Sequence, residues 1–260
     1  MTSASSKIWI YSLLFTGLAA LTAGGIYLIV ECSSWTSPVS SQPGNPQERY
    51  YRAVYLLQSF GGPAVLEQEN IPRRIAYTDT TEDLLHHPDR ILVLRHIADE
   101  LSQLHADAPK AAFFEACARL ALGERRAAVN LLTRYVIDNE YDANHYAILC
   151  DALYGLEDYP SLLLICREWQ ERDPSCREDR LRHGWAALHN LGRYPQAVRY
   201  MQTTGACLGW RAAVYEAKST LSHEGEARAL PVLEQATQRY QDNAPQILRL
   251  WDIIKGKNRV

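Results

Sequence analysis

From residue 88 to the C-terminus, apolar positions recur at steps of three and four. Ile91, Leu94, Ile97, Leu101 and Leu104 form one such stripe, the period at which a helix turns one face to a core. Asp107-Ala108-Pro109 closes it. Four further units follow, each predicted to be two helices joined by a short turn. Two turns carry the repetition. Leu153-Tyr154-Gly155-Leu156-Glu157-Asp158-Tyr159-Pro160 lines up with Leu188-His189-Asn190-Leu191-Gly192-Arg193-Tyr194-Pro195, 35 residues on (153 to 188). An earlier turn beginning at Leu120 precedes the first by 33 (120 to 153), and a later one beginning at Leu221 follows the second by 33 (188 to 221). After each turn a second helix opens on small or apolar residues: Ala127 and Ala128, Leu162, Ala197, Ala227 and Ala229. Proline just after a turn suits the first position of a helix. One hairpin of about 34 residues cannot bury its own apolar face, whereas stacked hairpins can. Ile247, Leu248, Leu250, Trp251 and Ile254 then predict a closing helix.

The amino-terminal third is patterned differently. The 23 residues from Ile8 to Val30 carry no charge, enough for a helix of about 34 Å at ~1.5 Å per residue and for a bilayer core, which takes about 20 residues. A cleaved signal peptide would have a shorter apolar run ending in a small-x-small site. Here the run continues past Gly24-Gly25 into Ile26-Tyr27-Leu28-Ile29-Val30, which favours an uncleaved anchor. Ser12, Thr16, Ala20 and Gly24 recur every four residues and would give the span a small-residue face for helix packing in lipid. Lys7 precedes the span and Arg49 is the first basic residue after it, so the positive-inside rule puts the N-terminus in the cytoplasm. The body would lie outside the cytoplasm, in the periplasm of a Gram-negative cell. Residues 31–47 are a Pro- and Ser-rich tether. A short helix bearing Tyr51, Val54, Tyr55 and Gln58 is expected next, ended by Gly61-Gly62-Pro63. Residues 64–88, broken by prolines, receive no assignment. The expected organisation is a tail and transmembrane helix (1–30), linker (31–47), membrane-proximal helical region (48–105), repeats (106–245) and capping helix (246–260).

Composition narrows function mainly by exclusion. A formal net charge of −3 over 260 residues and the absence of a basic block argue against nucleic acid as a partner. The six cysteines form no CxxC pair, so no zinc site is read. Most sit in apolar runs as small buried hydrophobes. Cys176 and Cys207 flank a turn-rich stretch and are the first candidates for oxidation where the compartment allows it. His86-His87 is an adjacent pair without a third ligand at a recognisable spacing. No G-x-S-x-G, H-E-x-x-H or P-loop occurs. No catalytic, cofactor or metal site is expected, and His105 and His145, near turns, are expected at the surface.

The repeats resemble the tetratricopeptide repeat family. The unit from Tyr146 to Pro174 fits best, with Tyr146 at the first large position, Leu149-Cys150 at the Leu-small pair, Leu153 at the next large one, Tyr159 after the turn and Pro174 closing it. The next unit departs, since Gly184-Trp185 stands where Leu-Gly is expected. The resemblance covers about Lys110 to Pro245. It implies an all-α solenoid of helical hairpins behind one N-terminal transmembrane helix, with first helices lining a concave groove. Transferred residue by residue, it places Phe114, Asn144, Asp151, Tyr154, Arg182, His183, His189, Asn190, Tyr215 and Glu216 toward that groove. It lacks the Lys and Asn pair that clamps a C-terminal carboxylate in some members.

These readings converge on a membrane-anchored scaffold or assembly subunit that binds other proteins of a membrane complex and is not an enzyme. The rival is a peripheral enzyme or cell-wall-binding module with its site in residues 48–88.

Overall fold

The computed structural model of the chain describes residues 45–66, 69, 71 and 79–257. The span expected at residues 8–30, with its Ser12, Thr16, Ala20 and Gly24 face, lies outside the described residues. No helix among the described residues is long and apolar enough to cross a membrane.

The described chain is all-helical. Three helices lead: α1 (Pro46–Ser59), α2 (Asp79–Leu85) and α3 (Arg90–Ser102). Four hairpins follow: α4 (Ala111–Ala121) with α5 (Arg125–Asp138), α6 (Ala143–Gly155) with α7 (Tyr159–Arg172), α8 (Glu178–Asn190) with α9 (Tyr194–Thr204), and α10 (Trp210–Glu224) with α11 (Glu226–Arg239). The closing helix is α12 (Ala244–Lys257). Each helix packs on the next from α3 onward, α6 also packs on α8, and α12 packs on both α10 and α11. This is a helical-repeat architecture.

Local chemistry starts and stops the helices. Asp89, Asp142 and Asp158 accept hydrogen bonds from backbone N–H groups of the first turns of α3, α6 and α7, satisfying donors the helix cannot. Pro160 and Pro195 occupy first-turn positions. At the C-termini of α4, α6 and α8 the same closure recurs. The N–H groups of Glu124, Asp158 and Arg193 donate to the carbonyls of Arg119, Leu153 and Leu188, with a left-handed residue just before each donor: Gly123 (φ 80°), Glu157 (φ 58°) and Gly192 (φ 70°). This is the Schellman closure that glycine normally supplies. It sets the true register of the first turn, with Arg119 rather than Leu120 equivalent to Leu153.

The apolar faces predicted from the period are largely the buried ones. Tyr146, Leu149, Cys150 and Leu153 of α6 all point inward. One stripe is corrected. Ile91 is 60% exposed, and α3 buries Val93 and Ala98 beside Leu94, Ile97 and Leu101. The short helix expected to bear Tyr51, Val54, Tyr55 and Gln58 is α1, whose buried residues are Tyr50, Ala53, Val54, Leu56 and Leu57. The core runs from α1 through α9. A second cluster, with Val214, Leu233, Ile247 and Trp251, unites α10, α11 and α12. A short 3-10 turn at Gly205–Leu208 separates the two.

Several contacts cross this seam. Cys176, in the α7–α8 loop, is disulfide-bonded to Cys207 in the 3-10 turn. Arg211 pairs with Glu178, and Gln202 donates to Glu216 at 2.7 Å. The Gly184-Trp185 inversion also has its reason here. A Cβ on residue 184 would lie 2.6 Å from the Tyr200 hydroxyl, so glycine admits that ring against α8, and Trp185 reaches across to α10. Arg180, only 2% exposed, is held by the carbonyls of Asp173 and Ser175, as a buried guanidinium must be.

Candidate functional site

The sides of the first helices turned away from the core converge across α6, α8 and α10. On α6, Asp151 and Tyr154 are exposed because Leu149, Cys150 and Leu153 take the inward positions. Asp151 Oδ1 lies 3.0 Å from Nε2 of His183 on α8, and 3.8 Å from the Arg182 guanidinium, which also pairs with Asp179 at 3.2 Å. The His183 hydrogen bond, more than the Arg182 charge, holds the Asp151 carboxyl below its ordinary pKa. Tyr154 sits beside the His183 ring (6.1 Å between centroids) and meets Tyr159 edge-on.

A second cluster spans α8 and α10. Trp185 packs on Tyr215 at 4.5 Å and stacks on His189 at 5.1 Å, with Lys218 Nζ 5.2 Å from its ring centroid. Its indole N–H donates to Ser219 Oγ (2.9 Å), which lies 3.1 Å from His189 Nδ1. The serine proton can satisfy Nδ1 only if the imidazole is neutral there. Burial, reinforced by Lys218, pushes the His189 pKa down to about 4. His189 also meets Tyr194, which continues to His223. Ring contacts therefore bridge α6 to α8 through Tyr154 and His183, and α8 to α10 through Trp185 and Tyr215. Neither Asp–His nor Ser–His contact offers a nucleophile. Ser219 is fully buried and already accepts from Trp185, and an imidazole with a pKa near 4 is a weak base at neutral pH. What the face presents is the exposed Tyr154 and Arg182 and the half-buried His189 and Tyr215, over a buried Trp185, and aromatic and arginine side chains are enriched at recognition surfaces.

No family model matches the chain, and no curated protein matches it. Solved structures to which it is similar include “MamA MSR-1 C2” (18% identity, covering 58% of this chain and 89% of that one, TM-score 0.47). Others are “MamA AMB-1 P212121” (19%, 56% and 81%, TM-score 0.46) and “Crystal structure of MamA protein” (13%, 58% and 85%, TM-score 0.49). All three TM-scores lie below one half, so the helical-repeat architecture rests on this chain's own hairpins.

The expected groove residues divide. Asp151, Tyr154, Arg182, His183, His189 and Tyr215 come together. His183 is buried rather than displayed and acts by pairing with Asp151. Phe114 is a correction: it is fully buried against Tyr50 of α1 and Phe113, because α1 covers the side of α4 that a free groove would expose. Glu216 is another, since it accepts from Gln202 on α9 and so faces the second-helix layer. Asn190 turns back to the Ala186 carbonyl of its own helix. Asn144 is exposed in the first turn of α6, and no contact joins it to the cluster. His145, expected at the surface, is buried between Phe113 and Tyr135. Trp185, Lys218 and Ser219 were not foreseen. The one available signal was the inverted Gly184-Trp185 pair, which puts a large ring where the repeat calls for a small residue. Among the described residues no group of three His, Cys, Asp or Glu could hold a metal ion.

Proposed function

We propose that this protein is a membrane-anchored scaffold that docks an extended segment of a partner, a subunit of a membrane complex, across the first helices α6, α8 and α10. The observation that carries the reading is that Tyr154 and Asp151 on α6, Arg182 on α8 and Tyr215 on α10 lie along one face of three successive hairpins, tied by the Asp151–Arg182 and Tyr154–His183 contacts and by the packing of Tyr215 on the buried Trp185. An extended chain could touch all three. The anchor is residues 8–30, and the body lies outside the cytoplasm. The Cys176–Cys207 disulfide supports that placement, because such bonds persist in oxidising compartments.

The test is co-purification of partners with the full-length chain from mild detergent, comparing wild type with Tyr154→Ala, Arg182→Ala and Tyr215→Ala. Each should weaken retention by about 5–30-fold, the equivalent of about 1–2 kcal/mol at an aromatic or arginine anchor. Leu153→Ala is the folding control: Leu153 is buried, so its truncation should cost about 2–5 kcal/mol of stability. Groove variants that stay folded and keep every partner would exclude this face.

A further inference from the structure

The second-helix layer carries a feature that the first-helix face does not explain. Between α7 and α9, with α8 behind them, is a cavity of about 620 Å³, within the range of small-ligand or side-chain pockets. Its floor is apolar, with Leu163, Cys166, Leu188 and the Tyr200 ring. Tyr200 lies there because Gly184 leaves space for it, and burial pushes its phenol up to about 12, so it stays neutral.

The walls are charged with one predominant sign. Arg167 from α7 and Arg193 and Arg199 from α9 line the cavity against one carboxylate, Glu171. That is a surplus of two positive charges on a chain whose formal charge is −3. None of the three guanidiniums makes an ion pair or side-chain hydrogen bond among the described residues, whereas Arg49, Arg119, Arg172, Arg177, Arg182 and Arg211 are all paired. Arg193 also sits at the N-terminal end of α9, where the helix dipole favours anions.

The distribution of charge selects the occupant. Arg193 and Arg199 are six residues apart, about 9 Å along a helix at ~1.5 Å per residue, and Arg167 stands on the other wall. One headgroup on an apolar tail would need its cations at a single end. Several carboxylates spaced along a chain fit cations on both walls, with an apolar side chain between them.

We propose that this cavity is a docking site for an acidic peptide segment of a partner protein, which seats one apolar side chain on the Leu188–Tyr200 floor and lays flanking carboxylates on Arg167, Arg193 and Arg199. The proposal rests on the scaffold reading and gives the scaffold a second surface on its other helix layer.

The test pans a library of random dodecapeptides on the immobilised full chain in mild detergent, in parallel with R167Q/R199Q and with Tyr154→Ala/Tyr215→Ala. The arginines are exposed and unpaired, so R167Q/R199Q should melt with the wild type. Peptides enriched on the wild type should combine Asp or Glu with Leu, Ile or Phe. Their binding, read by fluorescence anisotropy, should fall at least tenfold in R167Q/R199Q and weaken with added salt, while the first-helix variant binds them as before. Enrichment without acidic residues, or binding indifferent to the two arginines, overturns the proposal. So does a library that yields nothing while dodecanoate binds in an arginine-dependent way, which would make this a site for a carboxylate amphiphile. If the acidic peptides fail while partner retention still depends on Tyr154 and Tyr215, this inference falls and the scaffold reading stands.

Discussion

Glu157 is the most informative single position in the repeats. It occupies the left-handed slot of the α6–α7 turn (φ 58°) that glycine fills at residues 123 and 192, and it is the one non-glycine residue with positive φ among the described residues. An L-residue in that conformation costs about 1–2 kcal/mol. Its backbone closes the turn as its equivalents do, with the Glu157 N–H on the Tyr154 carbonyl at 3.0 Å and the Asp158 N–H on the Leu153 carbonyl at 3.1 Å. No hydrogen bond or ion pair of its side chain is present among the described residues, so Glu157→Gly removes strain and no contact. Glycine gives back about 0.4–1 kcal/mol through the greater freedom of the unfolded chain. The net expectation is a gain of about 0.5–1 kcal/mol, which for a folded unit of this size is about 1–4 °C in Tm. The mirror change, Gly192→Ala, should lose about 1 kcal/mol, because the space around a Cβ there is open and only the backbone conformation opposes it. Urea unfolding followed by circular dichroism measures both, and an unchanged denaturant slope would show that the unfolded state is the same. A Glu157→Gly variant that is less stable than wild type, beside a neutral Gly192→Ala, would refute the equivalence of these turns and the strain assigned to Glu157.

Three further predictions concern the seam and the buried polar groups. Cys207→Ser should destabilise the chain by at most about 3–4 kcal/mol, the chain-entropy value for a 31-residue separation, and reductant should produce the same loss in wild type but none in the variant. Gly184→Ala should cost about 1–3 kcal/mol by overpacking, since its Cβ would meet the Tyr200 ring and hydroxyl, and adding Tyr200→Phe should recover part of the loss in thermal melts. The folded pKa of His189, about 4, lies below the ordinary 6.5, so the unfolded chain takes up the proton first as pH falls. The stability contributed by the neutral ring is therefore complete above about pH 6.5 and is lost progressively down to pH 4. His189→Gln should flatten that dependence by about 1–2 kcal/mol between pH 7.5 and 4.5, discounted for the ring's partial exposure, and an unchanged pH slope would contradict the neutral-ring assignment.

From residue 88 onward the sequence by itself determined the helices and their pairing, and the turns to within a residue, whereas α2 lies in the proline-broken stretch that received no assignment. Those are local properties: a three-to-four period marks one face of a helix, aspartate and proline start it, and glycine at 123, 192 and 225 ends it wherever φ must be positive. The inward positions of α6 followed directly. What covers the remaining faces could not be read this way, because it depends on segments distant in the chain. Phe114 has the spacing of a groove residue, yet α1, more than fifty residues earlier, lies on it. His145 follows a capped turn, yet Phe113 and Tyr135 close over it. Glu216 and Tyr215 are neighbours in sequence, but the helix points one at α9 and the other at Trp185. The pairing of Cys176 with Cys207, though foreseen as the first candidate for oxidation, needed the 3-10 turn between α9 and α10 to bring their Cα atoms to 6.4 Å. The cavity rimmed by Arg167, Arg193 and Arg199 has no signature along the chain, since its lining comes from three helices and its floor exists only because Gly184 and Tyr200 meet. Periodicity shows which side of a helix is apolar, and only tertiary packing decides what that side, and the polar side opposite, will touch.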